Sequence, residues 1–284
     1  MNHRGFKRKC PLCQKSLEKD YLSLGKTTVL CPECSLVFNY NLPELGFKKK
    51  WENFTFNSGV LEYDLARTDF FKDFWDYSSS FVQKKTGRVL DIGCGRGIIL
   101  KLARQSGWEA EGVELSERLC QEARNYSGCK VYKGPLEELD IPDESYDIIL
   151  MVDTFRHLIN PLDTLKNCAR LCKGHGVTII RDLNLEHSSS RKRLSKSLDW
   201  DLQCLSPETG RLFMEKAGLK DVQFFPSLMS FLTLPAFQNI HKKNPRLANQ
   251  LRKLANKAFQ VVYYASFRRW LSITPEMIVV GKKD

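Results

Sequence analysis

The middle of the chain alternates short apolar runs with segments whose apolar residues recur at helical spacing. Residues 89–92 and 177–181 are mostly apolar and have the length of buried strands, and a further strand is predicted at residues 110–115. Residues 98–105 and 161–171 repeat apolar side chains every three or four positions, as amphipathic helices do. Strands that alternate with helices in this way predict an α/β fold with a doubly wound parallel sheet.

Further elements extend this pattern toward both ends of the chain. The apolar spacing of residues 62–84 predicts a helix. Ser116 and Ser206 are predicted N-caps of two more helices, the second with Pro207 in its first turn. Additional strands are predicted at residues 130–133, 145–152, 221–225 and 276–282, and a turn at residues 173–176.

Two Cys-x-x-Cys pairs stand near the N-terminus, within residues 1–47. Cys10 and Cys13 form the first pair and Cys31 and Cys34 the second, with short strands predicted at residues 27–30 and 36–38. This spacing is typical of a zinc ribbon, in which two tight turns present four thiolates to the metal. Four unrelated buried cysteines are the alternative interpretation. We expect a structural zinc ion, because four protein ligands leave no open coordination position.

A glycine-rich loop follows the first of the central apolar runs. Residues 91–97 read Asp-Ile-Gly-Cys-Gly-Arg-Gly and lead into a predicted helix. Alternate glycines let the backbone turn sharply and approach a ligand closely at the mouth of a parallel strand. The stretch resembles motif I of class I S-adenosylmethionine (SAM)-dependent methyltransferases. The resemblance to this family covers roughly residues 60–225 and the last predicted strand. This resemblance implies a Rossmann-like seven-stranded sheet in residues 48–284, its last two strands antiparallel, with SAM as the cofactor.

The resemblance also implies where the cofactor binds. Glu114 ends the second predicted strand of the sheet, which is the first strand after the glycine loop. In similar proteins an acidic residue at this place holds both ribose hydroxyls of the cofactor. An exposed strand-end carboxylate is the alternative. Where similar proteins often place an aspartate that faces the adenine, this chain has Pro135, which lacks both a carboxylate and an N–H. The implied cofactor-contacting residues are Tyr63, Asp91, Gly93, Gly95, Gly97, Glu114, Leu115, Leu136 and Met151.

One histidine follows the predicted fourth strand of the sheet. The segment from Asp153 to Leu158 resembles a family pattern in which a glutamate precedes a histidine, but Arg156 replaces the glutamate here. His157 is the candidate catalytic residue, because a histidine beside the methyl donor can deprotonate an acceptor hydroxyl. The alternative is a histidine that orders the loop, because methyl transfer from SAM depends more on in-line approach than on a strong base.

The distribution of charged residues along the chain identifies a further candidate region. The formal net charge is +11, which indicates an acidic partner. Residues 226–275 form a predicted insertion, and residues 222–275 contain no Asp or Glu. Apolar residues recur there at steps of three and four positions, among Lys and Arg. Such a basic amphipathic helix is compatible with binding an anionic membrane, holding a phosphorylated acceptor or covering the edge of the sheet.

The sequence is compatible with three functions that differ in the acceptor or lack one. A small or lipid-linked anionic metabolite, such as a nucleotide sugar or glycan precursor, fits the charge and the resemblance of a zinc module with this fold to sugar methyltransferases. A ribosomal RNA base is the alternative, although the chain has no Asn-Pro-Pro-aromatic motif for a base amine. A non-catalytic adaptor is a third hypothesis, against which the intact glycine loop argues.

The sequence also gives an expectation for localisation. No apolar run reaches the length of about 18 residues that spans a bilayer, and the basic N-terminus lacks the apolar core of a signal peptide. Ten cysteines suit a reducing compartment in a chain without such a signal. We therefore expect a cytoplasmic protein with possible peripheral contact at an anionic membrane.

Overall fold

A seven-stranded mixed sheet forms the centre of the computed structural model. The structure describes residues 9–16, 22–23, 28–39, 68–194, 201–227 and 274–284, with single positions at 49 and between 240 and 265. The predicted cofactor contact of Tyr63 lies outside the described residues. In chain order the strands are β1 (Leu22–Ser23), β2 (Thr28–Leu30), β3 (Val37–Asn39), β4 (Arg88–Ile92), β5 (Glu109–Glu114), β6 (Lys130–Lys133), β7 (Tyr146–Val152), β8 (Cys172–Leu183), β9 (Gln203–Cys204), β10 (Lys220–Ser227) and β11 (Glu276–Lys282).

Helices occupy most of the connections between these strands. The helices are α1 (Thr68–Ser79), α2 (Ile98–Gln105), α3 (Glu117–Ser127), α4 (Pro161–Leu171), α5 (Ser188–Leu194) and α6 (Pro207–Lys216), with 3-10 turns at Leu136–Glu138 and Phe155–His157. Both predicted N-caps are confirmed. Ser116 Oγ accepts from the N–H of Leu119 at 3.4 Å, and Ser206 forms a reciprocal capping box with Thr209.

The order of strands in the large sheet confirms the predicted fold class. The strands lie in the order β10, β11, β8, β7, β4, β5 and β6. Strands β4, β5, β6, β7 and β8 pair in parallel, whereas β11 pairs antiparallel with both β8 and β10. The chain runs outward from β4 through β5 and β6 and then crosses to β7 on the other side of β4. The strand order therefore reverses between the adjacent strands β4 and β7. Ligands bind at such a switch point, beyond the carboxyl ends of the strands.

Three details of the predicted elements are wrong. The segment 173–176 belongs to β8 rather than to a turn, because its backbone pairs with the C-terminal residues through the His175 N–H to Lys283 O bond of 3.1 Å. Residues 191–194, at the start of a Lys- and Arg-rich run that the sequence predicts to lie in a loop, belong instead to α5. Helix α1 ends at Ser79 rather than at Lys84. At this end the hydroxyls of Ser79 and Ser80 donate to backbone carbonyls of the last turn, which competes with continuation of the helix.

The four-cysteine segment forms a second, smaller sheet in the order β1, β2, β3 and β9. Strands β2 and β3 confirm the two predicted strands of this segment, whereas β9 comes from the region after α5 and was not predicted. The apolar side chains Leu12, Val29, Leu36 and Phe38 belong to the same buried cluster as the core of the large sheet. The two sheets therefore share one continuous core within the described residues.

Candidate active site

The glycine loop connects β4 to α2 at the centre of the large sheet. Gly93, Gly95 and Gly97 have φ angles of 71°, 53° and 76°, in the left-handed region that disfavours side chains. An added Cβ would lie 2.4 Å from Thr154 Oγ1 at Gly93, and 3.2 Å from Ala123 at Gly97. At Gly95 it would meet no atom of the described chain within 4 Å. The loop therefore offers an open cradle at Gly95.

Glu114 lies at the carboxyl end of β5 and contacts this loop directly. One carboxylate oxygen accepts from the N–H groups of Leu115 at 2.8 Å and Ser116 at 3.0 Å. The other accepts from the Gly95 N–H at 3.1 Å. Burial raises the pKa of Glu114, although the three N–H donors oppose this rise. Three of the roughly four positions at which a carboxylate accepts are used, so Glu114 retains capacity for a ribose hydroxyl.

Asp91 lies in β4 immediately before the loop and is almost fully buried. Burial, together with the nearby Glu114 carboxylate, raises the pKa of Asp91 from its ordinary value of 3.8 to about 8. A cation placed beside these two carboxylates would favour their ionised forms. The sulfonium and ammonium groups of SAM supply such a cation, so the charge of this site fits the implied cofactor.

The remaining implied cofactor residues lie on neighbouring elements at the same edge of the sheet. Met151 is fully buried near the end of β7, in register with Ile92 of β4. Leu136 is buried in the 3-10 turn that follows β6, and Leu115 is half-buried directly after β5. Pro135 adopts an extended conformation just before that 3-10 turn. The described residues thus place apolar surfaces on both sides of the glycine loop.

The 3-10 turn Phe155–His157 follows β7 and adjoins the glycine loop through the Thr154–Gly93 contact described above. His157 is half-buried, and its Nδ1 atom lies 3.7 Å from Oδ1 of Asp201. The backbone N–H of His157 donates to Thr154 O at 2.9 Å, which closes the turn. The candidate catalytic histidine therefore lies on the segment that borders the cofactor cradle, next to a buried carboxylate.

Arg156 is the buried centre of a charge network at this edge. Its guanidinium lies 2.8 Å from Asp182, 3.1 Å from Asp153 and 3.1 Å from Asp201. Its backbone N–H also donates to Asp182, at 3.0 Å. Burial acts to lower the pKa of Arg156, but the three carboxylates raise it above its ordinary value, so the side chain is charged. The network fixes the turn that carries the candidate histidine.

Arg181 extends this network along β8. Its guanidinium pairs with Asp153 and, at 3.2 Å, with Glu276 of β11. It also lies 3.3 Å from the Ser227 hydroxyl and 5.6 Å from the centre of the Phe70 ring. Asp153 therefore joins the two buried guanidinium groups, and the network spans β7, β8, β10 and β11.

Sequence reasoning missed the carboxylates and the second arginine of this network. The missed residues are Arg181, Asp182, Asp201 and Glu276. One signal was present, because Arg156 replaces the family's glutamate and Asp182 directly follows a predicted strand. A buried arginine after one strand requires carboxylates from neighbouring strands. Asp201, in contrast, precedes a two-residue strand that no periodicity reveals.

The four N-terminal cysteines form a compact sulfur cluster. Their Sγ atoms all lie within 4.8 Å of one another, with Cys10–Cys34 and Cys13–Cys31 separations of 3.5 Å. A hydrogen bond from Cys10 lowers the pKa of Cys34 to about 5. Four sulfurs around zinc at about 2.3 Å are separated by about 3.8 Å, so the cluster has dimensions that suit this metal.

The two cysteine turns have matching backbone hydrogen bonds. In each turn the carbonyl of the first cysteine accepts from the N–H of the residue four positions later. The N–H of the same cysteine donates to the carbonyl of the residue five positions later. All four bonds are 2.8–2.9 Å long. Gln14 and Ser35 occupy equivalent positions with φ angles of 64° and 58°. The repeated geometry points two thiols from each turn to a common centre, so these residues can hold a metal ion.

Comparison with known proteins agrees with this geometry. The sequence profile of a family described as "Methyltransferase domain" matches residues 63–224, more than half of the chain. The chain belongs to this methyltransferase family. Its fold is also that of a SAM-dependent methyltransferase from Archaeoglobus fulgidus, with a TM-score of 0.57 and 21% identity over 80% of this chain and 100% of the other.

Two further relatives extend the comparison. A ubiquinone biosynthesis O-methyltransferase from Bordetella avium is 36% identical over 103 residues, which are 34% of this chain and 43% of that protein. The chain thus spans less than half the length of this curated relative. Phosphoethanolamine N-methyltransferase 2 from Haemonchus contortus, solved with S-adenosyl-L-methionine, has a TM-score of 0.56 and 16% identity, covering 87% of this chain and 61% of the other.

The open cradle at Gly95 predicts that a large side chain there prevents SAM from binding to the methyltransferase. Gly95→Arg is expected to weaken SAM affinity at least tenfold in isothermal titration. Gly218→Arg is the matched control, because Gly218 also has a positive φ, of 91°, and open space at its Cβ, but follows α6. Equal affinities for both variants would contradict the placement of the cofactor.

The buried Asp91 predicts a pH-dependent stability. Between pH 4 and pH 8 its folded carboxyl binds a proton that the unfolded chain releases, so unfolding becomes easier as the pH rises, by up to about 1.4 kcal/mol per pH unit. Asp91→Asn removes this contribution. Its stability relative to wild type, measured by urea unfolding, is expected to increase from pH 5 to pH 8. Asp221→Asn, at an exposed position, is the control; a difference for Asp91→Asn that is constant with pH would refute the assignment.

Proposed function

We propose that this SAM-dependent methyltransferase acts on a hydroxyl of a small or lipid-linked anionic metabolite. A nucleotide sugar or a glycan precursor has the required charge. The proposal rests on the segment of residues 222–275, which contains no acidic residue, and on exposed apolar side chains at the helical positions that the structure describes within it. The name of the Bordetella avium relative, an O-methyltransferase of ubiquinone biosynthesis, supports an oxygen acceptor.

The described helical positions of this segment support a lipid-linked acceptor. Leu247, Leu251, Leu254 and Val261 are helical, and 43%, 38%, 64% and 66% of their surfaces are exposed. These positions recur at steps of three, four and seven, so they lie along one helix face. The exposure of these side chains favours contact with an external surface over covering the edge of the sheet. An apolar face in an acid-free, Lys- and Arg-containing segment suits the surface of an anionic membrane.

The proposal therefore includes peripheral contact with an anionic membrane. None of the helices in the described part of the chain is long and apolar enough to cross a bilayer. Lys and Arg near an anionic surface each contribute about 1 kcal/mol, and salt screens this contribution. Apolar side chains that enter the headgroup region add a contribution that salt does not screen. Both contributions act on the same segment, and together they would bring the enzyme to a lipid-linked acceptor.

In the proposed reaction, each side of the site has its own task. Asp91, the glycine loop and Glu114 would hold SAM, which would supply an electrophilic methyl group and leave a neutral thioether behind. His157 accepts the proton of the acceptor hydroxyl, and Asp201 stabilises the resulting imidazolium across the 3.7 Å separation. The buried guanidinium of Arg156 holds Asp201 in place.

We further propose that the four-cysteine cluster binds one structural zinc ion. The matching turns and the sulfur separations given above support this assignment. A segment of this size buries too little apolar surface to fold without help, so metal binding would supply much of its stability. All four ligands come from the protein, so the ion would take no part in the chemistry.

The acceptor class and the role of His157 predict a specific pattern of methyl transfer. Radiolabelled methyl from SAM is expected to enter the lipid or small-molecule fraction of a cell extract. His157→Asn is expected to lower the rate about 10²–10⁴-fold, the usual contribution of a general base, without changing SAM affinity. His175→Asn is the matched control, because His175 is exposed at the opposite end of β8. Label found in RNA would favour the ribosomal RNA alternative, and equal rates for the two variants would exclude a catalytic His157.

The exposed helix face predicts salt-sensitive binding to anionic vesicles. Wild-type protein is expected to co-sediment with anionic but not neutral vesicles, more strongly at low salt. Leu254→Asp/Val261→Asp is expected to reduce binding at least tenfold, because each side chain contributes roughly 1.5 kcal/mol or more when buried. Leu254→Met/Val261→Ile retains the apolar face and should bind like wild type. Unaltered binding by the aspartate variant would show that this face does not contact the membrane.

A further inference from the structure

The four-cysteine segment is joined to the active site by a shared strand pairing. Its strand β3 pairs with β2 on one side and with β9 on the other. Val37 lies opposite Cys204 and Phe38 opposite Gln203, and the Asn39 N–H donates to Leu202 O at 2.7 Å. Strand β9 therefore belongs to the small sheet, although it lies between α5 and α6 in the chain.

The other side of β9 holds the turn that carries His157. The Leu202 N–H donates to Arg156 O at 2.7 Å. The Gln203 side-chain amide donates to Phe155 O at 2.6 Å and to Leu158 O at 3.0 Å. Gln203 is almost fully buried, so water does not compete for these bonds. Three hydrogen bonds from two adjacent residues thus fix the carbonyl groups of the turn.

Apolar contacts reinforce the same junction. Val37 of β3, Cys204 of β9 and Leu183 at the end of β8 form a separate buried cluster, against which Leu30 and Leu185 pack. The Leu185 N–H also donates to Leu205 O at 2.8 Å. The end of β8, which carries Asp182 of the charge network, is therefore packed against β3 as well.

The position of the cysteines makes this junction sensitive to the metal. Cys31 directly follows β2, and Cys34 stands three residues before β3, so the second cysteine turn connects the two paired strands. Strands β2 and β3 have only three residues each, so metal binding would supply much of the stability of this part of the small sheet. Loss of the metal would free β3, and β9 would lose the partner that holds it against the turn.

We infer that Gln203 is a positioning residue for His157 and that metal bound by the four cysteines fixes the acceptor side of the active site. This inference rests on the proposed metal site and on the proposed role of His157. The cofactor side is expected to be independent of the metal. The glycine loop and Glu114 hydrogen-bond to each other and to residues adjoining β4 and β5.

Hydrogen exchange of the full-length protein tests the metal dependence without any methyl acceptor. Zinc content is first measured by elemental analysis, and zinc is then removed with a chelator. Backbone amides of residues 153–159 and 201–205 are expected to exchange at least tenfold faster, whereas amides of residues 89–97 and SAM affinity stay unchanged. A chain without bound metal, or faster exchange confined to residues 9–39, would overturn the inference.

A pair of isosteric variants tests Gln203 with the metal in place. Gln203→Met removes both side-chain donors, whereas Thr28→Val in the same small sheet removes a hydroxyl that has no hydrogen-bond partner among the described residues. Gln203→Met is expected to change the NMR chemical shifts of the His157 ring and to speed exchange at residues 153–159, with zinc content and SAM affinity retained. Thr28→Val is expected to change neither.

The outcomes separate this inference from the proposed function. If Gln203→Met retains zinc but leaves the His157 ring shifts and the exchange of the turn at wild-type values, Gln203 has no positioning role. If Gln203→Met does not fold, Gln203→Asn provides the same test, because its side chain is shorter by one methylene group and its amide cannot reach both carbonyls at hydrogen-bond distance. A wrong acceptor class would leave all of these readouts as expected, because none of them uses an acceptor.

Discussion

The pairing of buried Arg156 with Asp153, Asp182 and Asp201 is the interaction on which the candidate site depends. These carboxylates come from the end of β7, the end of β8 and the segment that enters β9. Removing charges from water costs several kcal/mol per ion, which their mutual attraction offsets only when the geometry is good. Loss of one partner typically costs about 3–5 kcal/mol, because it leaves an uncompensated buried charge. The three segments are therefore held together as one unit.

The proposed cofactor side and the proposed acceptor side of the candidate site are built in different ways. The cofactor side depends on local backbone geometry: three glycines in left-handed conformations and a strand-end carboxylate bonded to three backbone N–H groups. The acceptor side depends on side chains that are far apart in the sequence, from Asp153 to Glu276. It also depends on β9, which the small sheet holds in place. A change in the small sheet would therefore affect the acceptor side first.

The sequence predicts the local features of this structure well. The strand and helix periods, the two serine caps, the glycine loop and the cysteine turns each depend on a few consecutive residues, and all of these are present in the described elements. Strand β9 was not predicted because two residues are too short to show a period, and its partner β3 is more than 160 positions away. For the same reason Asp201 could not be assigned to Arg156. Residues 173–176 resemble a turn because they contain two glycines, and only pairing with Lys283 shows them to be part of β8.

We propose that the cradle at Gly95 and the turn at Phe155–His157 form two sides of one methyl-transfer site. A crystal structure of the full chain with S-adenosylhomocysteine would show whether both sides face the same ligand. We expect the ribose to contact Glu114, the ligand to lie against Gly95, and its sulfur to face the turn that carries His157. A ligand bound with its sulfur directed away from that turn, or bound elsewhere on the protein, would contradict this proposal.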